Sequence, residues 1–65
     1  MSALAPHIIT LRALAAAYCE AGEAETDDAT ANLLFAMSDA HERAADVLEA
    51  QRQAGLGKAT GDREQ

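Results

Sequence analysis

The two histidines, the single cysteine and Ser38 are the side chains in this sequence that we consider for catalysis or metal binding. His7 and His41 could bind a metal together or act as a pH switch. Cys19 is the only cysteine, and it has no basic neighbour or helix start beside it, so we expect a buried, inert thiol. Ser38 and His41 fall on one helical turn, but no orienting acid and no oxyanion hole accompany them. Nucleophilic catalysis is therefore unsupported, and we expect a protein that is not an enzyme.

A metal site would need more ligands than the two histidines provide. Di-iron helical bundles use a Glu-x-x-His pair, whereas Ser38 stands three residues before His41. No Cys/His cluster has zinc spacing, and the acidic run from Glu20 to Asp28 lacks the residue order of an EF-hand loop. We predict no metal and no cofactor. A metal- or small-ligand-binding helical bundle that uses His7 and His41 is kept as the alternative function.

The charge balance limits the classes of partner. Eleven acidic and five basic residues give a formal net charge of −6. This argues against binding to nucleic acids and to anionic membranes, which both attract Lys and Arg. The N-terminal apolar stretch is interrupted by Pro6, His7, Thr10 and Arg12, so neither a signal peptide nor a membrane span is expected. A lone cysteine fits a reducing compartment, and we expect a cytoplasmic protein.

Phe35 is the residue most suggestive of a protein partner. Helical periodicity puts Phe35 on the same side as several acids, where an exposed aromatic ring could be a binding hot spot. Alternatively, Ala31 and the turn, or a dimer neighbour, cover the ring. With the acidic turn included, the predicted partner-binding residues are Phe35, Asp39, Glu42, Asp46, Glu23 and Glu25. The expected partner is another protein with a basic surface.

The elements that position these residues are predicted to be helices. Alanine makes up about a quarter of the chain, and glycine and proline are few, which indicates an all-α protein. Helix 1 is predicted over residues 3–21, with Gly22 as the left-handed residue that ends it. Its apolar seam has the 4-3-4-3 spacing of a heptad repeat and consists of Leu4, Ile8, Leu11, Ala15 and Tyr18.

Helix 2 is predicted over residues 27–54. Thr26 is the expected N-cap, with Asp27 and Asp28 in the first turn, and Gly55 is expected to end the helix. Residues 1–56 then form one helical-hairpin domain, and residues 57–65 a flexible, disordered tail. The predicted buried face is a wide apolar stripe made of Leu33, Leu34, Met37, Ala40, His41, Ala44, Val47 and Leu48.

A hairpin whose turn centres near residue 24 pairs Leu14 with Leu34 and Leu11 with Met37. The same pairing places His7 and His41 at one level. Helix 1 is then too short to cover the far end of helix 2, so a second copy should cover it and form a four-helix bundle, an obligate homodimer with twofold symmetry. The predicted dimer interface comprises Leu34, His41, Val47, Leu48 and Ala54.

The architecture of residues 4–54 is similar to that of the repressor-of-primer family. Each chain of that family has two helices and a short polar tail, and two chains form an antiparallel dimer. The RNA binding of that family uses a basic stripe on the first helix. It does not carry over, because helix 1 here offers only Arg12 and His7. We expect a small acidic, non-enzymatic protein–protein interaction module that acts as a homodimer, as a regulator, adaptor or inhibitor. Small acidic proteins encoded by phages or mobile elements often compete for nucleic-acid-binding proteins by mimicking the spacing of phosphates, and we keep this as a sub-hypothesis.

Overall fold

Two antiparallel helices joined by a short turn form the computed structural model, which describes the backbone of residues 3–64 and the side chains of residues 3–55. Helix α1 spans Ala5–Ala24, and helix α2 spans Asp28–Glu64. The predicted all-α helical hairpin is confirmed. At 1.5 Å per residue, α1 is roughly 30 Å long and α2 roughly 55 Å, and the longest extent of the molecule is 58 Å.

Helix α1 continues past Gly22, so the predicted helix end at this glycine is wrong. Gly22 lies inside α1, is buried, and does not adopt a positive φ. The helix ends at Ala24 instead, and the extended Glu25 donates its backbone N–H to the Gly22 carbonyl oxygen at 3.3 Å. Gly22 lies four residues after Tyr18, so it continues the heptad seam of α1. It is packed as a member of this seam and keeps the helical conformation.

The carboxylates of the acidic turn accept hydrogen bonds from nearby backbone N–H groups. The Glu25 carboxylate accepts the backbone N–H groups of Thr26 and Asp27, at 3.0 and 3.2 Å. Asp27 accepts both the N–H and the hydroxyl of Thr30, at 2.9 and 2.7 Å. Asp27 is therefore the N-cap of α2, rather than Thr26 as predicted, because its carboxylate reaches an N–H group that the first helical turn leaves unpaired.

Helix α2 passes through Gly55 without a break, so the predicted end at Ala54 is also wrong. Gly55 lacks the positive φ that would reverse the chain at a helix end. The backbone of residues 57–64, predicted to be a tail, belongs to α2. The side chains from Leu56 onward and all of Gln65 lie outside the described residues.

The contact between the helices combines large apolar residues with small residues at its centre. On α1 the predicted seam is confirmed, with Ile8 5% and Ala15 3% exposed. On α2 the facing residues also have heptad spacing. We call them the inner seam: Ala31, Leu34, Ser38, His41, Ala45, Leu48 and Arg52. Ala45 is fully buried, and the Ser38 hydroxyl donates to the Ala15 carbonyl oxygen at 2.6 Å. A serine can reach the partner helix backbone only if the two helices lie close together, and small residues permit such an approach.

The predicted register of the hairpin is wrong by at least five residues. The pairing of Leu14 with Leu34 would put Leu33 opposite Ala15, whereas Ala15 contacts Ser38. The turn centres on Thr26 rather than near residue 24. When the centre of the turn moves by one residue along the chain, the residue of α2 that faces a given residue of α1 changes by two. Five helical residues correspond to about 7.5 Å, so His7 and His41 are not at one level.

A second heptad seam on α2 remains uncovered. We call it the outer seam: Leu33, Met37, Ala40, Ala44 and Val47. Leu33 is 66% and Val47 61% exposed, and the other three are exposed as well. The predicted buried face of α2 is therefore divided. Leu34, His41 and Leu48 face α1, and the rest of that face points away from it.

Candidate interaction surfaces

The acids of the hairpin are gathered on one side. At about 100° per residue, the acids of the helices with described side chains all project to the same side of the plane through the two helix axes. We call this the acidic side, and its members are Glu20, Glu23, Asp28, Asp39, Glu42, Asp46 and Glu49. Glu25 and Asp27 occupy the turn at its end. The negative electrostatic potential of the hairpin is therefore concentrated on one side.

Arg12 is the single basic residue of α1, and it lies on the acidic side. Its Nη1 is 2.5 Å from Glu42 Oε1 and 3.2 Å from Asp46 Oδ1. The hydrogen bond to Asp46, together with both carboxylate charges, raises the pKa of the Arg12 guanidinium above its ordinary value. Arg12 links the two helices, although exposed ion pairs of this kind stabilise a fold only modestly.

An open groove runs between the helices on the acidic side. It has a floor of small α1 side chains and a wall from α2, and it is lined by Arg12, Ala15, Ala16, Cys19, Phe35, Ser38, Asp39 and Glu42. Cys19 is half-buried and free. The groove therefore combines an apolar floor with two carboxylates and an aromatic ring.

Phe35 is both covered and available. A Cβ atom placed on Gly22 would lie 2.7 Å from Phe35 Cε1 and 2.9 Å from Cδ1, so the ring packs directly on the Gly22 backbone. The Phe35 residue as a whole remains 39% exposed, and it lines the groove. Phe35 is partly covered, but by Gly22 of α1 rather than by Ala31 and the turn, and its role as a binding hot spot stays a prediction. Sequence reasoning missed the role of Gly22, although its place on the α1 seam is a signal that could have revealed it.

The predicted partner-binding residues fall into three groups. Phe35, Asp39 and Glu42 line the groove together, and Asp46 joins them through Arg12. Glu23 lies on the same side near the turn, and no ion pair involves it within the described residues. Glu25 has a structural task instead, because its carboxylate accepts backbone N–H groups of the turn.

The opposite side of the hairpin is apolar. It carries the outer seam of α2 together with Leu14 and Tyr18 of α1, and none of the acids with described side chains in either helix lies there. The Tyr18 and His41 rings are 5.2 Å apart at an angle of 40°. His41 Nδ1 is 2.7 Å from the Met37 carbonyl oxygen, so a protonated Nδ1 donates to it. We call this surface the apolar side.

The predicted dimer-interface residues are divided between two locations. Leu34, His41 and Leu48 are half-buried on the inner seam, within the hairpin's own core. Val47 and Ala54 are exposed. The uncovered apolar surface of α2 lies on the outer seam, between Leu33 and Val47.

The geometry does not favour the alternative of a metal site. His7 is exposed and offset along the hairpin from His41, which packs on Tyr18. Within residues 3–55, whose side chains are described, no group of three or more His, Cys, Asp or Glu residues could hold a metal ion.

Comparisons of the chain with family models, with curated proteins and with solved structures find no match. Over the part of the chain that the structure describes, neither helix has an apolar stretch long enough to cross a bilayer.

Proposed function

We propose that this chain is a non-enzymatic protein–protein interaction module that acts as a homodimer. Two copies pack through their apolar sides into a four-helix bundle with twofold symmetry. The two acidic sides then face outward, where they bind a protein with a basic surface. A role as regulator, adaptor or inhibitor follows from this arrangement.

The outer seam of α2 is the observation that supports the proposal. Its five apolar residues recur at heptad spacing, which is the pattern that buries a helix against a neighbouring helix. No residue of α1 covers Leu33, Val47 or the alanines between them. Contiguous apolar surface of this kind on a small soluble domain indicates a binding partner.

The exposed area of the chain supports the same conclusion. The hairpin exposes 4772 Å², whereas a compact monomer of its mass is expected to expose roughly 4,000 Å². The elongated shape of the hairpin, 58 Å along its longest extent, adds to this exposed area. A hairpin with such a thin core gains stability when a second copy removes this surface from water.

The distribution of charge makes a second copy a suitable occupant of the apolar side. Two chains that each carry a net charge of −6 repel one another, and contact through any acidic surface would increase that repulsion. The acids of both helices that the structure describes lie on the other side. Packing through the apolar sides therefore keeps the two acidic surfaces far apart and leaves both accessible to a basic partner.

Sedimentation velocity at micromolar concentration tests the homodimer. The wild-type chain should sediment as a dimer, with a melting temperature that rises with protein concentration. Ala44→Glu puts a charge in the outer seam and should shift the equilibrium strongly toward monomer. The matched control is Ala50→Glu, because Ala50 is an exposed alanine of α2 outside the outer seam, and this variant should remain dimeric. A well-folded wild-type monomer, or equal behaviour of the two variants, would contradict the proposed interface.

A further inference from the structure

We infer that the groove on the acidic side binds a basic amphipathic helix of the partner protein, with an arginine of that helix against Phe35. The inference rests on the proposed function as an interaction module, and it specifies the chemistry of the partner. It does not depend on the homodimer, because the groove lies on the side opposite the outer seam.

The shape of the groove suits a helix. Ala15, Ala16 and Cys19 form its floor, and small side chains allow a third helix to approach two others closely. The groove lies between two antiparallel helices, so a third helix placed there would contact both of them. Such helix-in-groove binding relies on an apolar face of the incoming helix, with charged residues at its edges.

The rim of the groove selects for positive charge. Asp39 and Glu42 flank the floor, and Arg12 is the single cation from α1 among these acids. Arg12 also shows that a guanidinium is bound by this rim, since it contacts both Glu42 and Asp46. Among the residues with described side chains, Asp39 pairs with Arg43 of its own helix, and the Asp39 side chain stays 57% exposed, so an incoming cation can reach this carboxylate.

Phe35 favours arginine over lysine in the incoming helix. Phe35 is partly exposed and lines the groove together with Asp39 and Glu42. A planar guanidinium can stack on an aromatic face while its N–H groups reach a carboxylate, whereas an ammonium ion is compact and strongly hydrated. The aliphatic stem of the arginine would cover the small residues of the floor.

The experiment is a titration of the full chain with two probe peptides. One is an alanine-based helical peptide with arginines along one face, and the other has lysines at the same positions. Binding is followed by calorimetry at low salt and at physiological salt. The arginine peptide should bind about two- to fivefold more tightly than the lysine peptide, and Phe35→Leu should abolish this preference while it keeps an apolar side chain over Gly22.

Two matched pairs of variants separate the groove from general attraction to an acidic protein. Ala16→Leu fills the groove and should weaken binding about tenfold, whereas Ala13→Leu, an exposed alanine of α1 away from the groove, should not. Asp39→Asn should weaken binding more than Glu20→Gln, although each removes one negative charge. Circular dichroism of every variant confirms that the helices persist.

Three results would overturn the inference: no binding of the arginine peptide, equal losses within each pair of variants, or an arginine preference that survives in Phe35→Leu. These outcomes are independent of the homodimer, which sedimentation of the wild-type chain decides. Peptide binding to a chain that proves monomeric would refute the homodimer alone. A dimeric chain whose groove variants bind normally would refute the groove alone.

Discussion

The inner and outer seams of α2 have the same heptad spacing and lie side by side on one helix, yet the more hydrophobic of the two faces away from α1. The inner seam contains Ala31, Ser38, His41 and Arg52 as well as two leucines, whereas the outer seam is entirely apolar. The seam that packs against α1 is the one with small residues at its centre, where the Ser38 hydroxyl reaches the Ala15 carbonyl oxygen and Ala45 is fully buried. The large apolar residues remain available for a second copy.

The largest effect is expected when leucine replaces Ala45 of the inner seam. The matched comparison is the same replacement at its neighbour Ala44, on the outer seam. Ala45→Leu adds volume at a fully buried position of the inner seam, and it should lower the free energy of unfolding by about 1–3 kcal/mol by forcing the helices apart. Ala44→Leu makes the same change on the outer seam, which is exposed in the single hairpin, so at protein concentrations low enough to keep the chain monomeric it should change stability by less than about 0.5 kcal/mol. Urea denaturation of both variants measures the contrast. Equal losses would mean that both seams are equally covered.

An intermediate effect is expected where α2 begins, because this point sets the register of both seams. The hydrogen bonds from the side chain and backbone of Thr30 lower the pKa of Asp27 below its ordinary value. A lowered pKa contributes stability that is present at neutral pH and is lost as the pH falls below about 4, through the folded-state pKa.

The test uses two replacements for this carboxylate. Asp27→Ala should lower the melting temperature by several degrees at pH 7, as is usual for the loss of an N-cap in a small domain. Asp27→Asn keeps an acceptor that does not titrate, so its melting temperature should fall less steeply with acid than that of the wild type. Identical acid profiles for the wild type and Asp27→Asn would show that this cap does not contribute to the pH dependence.

The smallest effect should be a coupling between Gly22 and Phe35. Gly22→Ala alone adds a helix-favouring residue, but its Cβ would meet the Phe35 ring at 2.7 Å. In a Phe35→Ala background the clash is absent, and the same substitution should stabilise the helix by about 0.5–1 kcal/mol. A double-mutant cycle by thermal unfolding measures the difference. A coupling near zero would show that the ring moves aside freely.

The hairpin and the seam of α1 could be predicted from the sequence, because the regularly spaced apolar residues of α1 define a single buried face. Sequence patterns were insufficient for α2, because two neighbouring seams share one period and hydrophobicity favours the one that faces outward. The predicted register is wrong for a related reason. Glycine is a residue type that favours a helix end, which places the turn too early, whereas Gly22 lies inside α1. Its neighbour Phe35 is 13 positions away in the sequence, and only the folded chain brings the two together.

Phe35, Asp39 and Glu42 could be predicted as one surface because they share a face of one helix. The floor of the groove could not, since Ala15, Ala16 and Cys19 belong to the other helix and their position depends on the register. The role of Glu25 was likewise out of reach. Its carboxylate is used by backbone groups of a turn whose conformation is not encoded by spacing.

The contact between Tyr18 and His41 gives the molecule a natural optical label. The chain has one tyrosine and no tryptophan, so its near-ultraviolet absorption and emission arise chiefly from Tyr18. This ring is half-buried at the border of the apolar side, where the arrival of a second copy would change its surroundings. The proposed self-association can therefore be tested by fluorescence in the unmodified protein, without a dye that would disturb so small a fold.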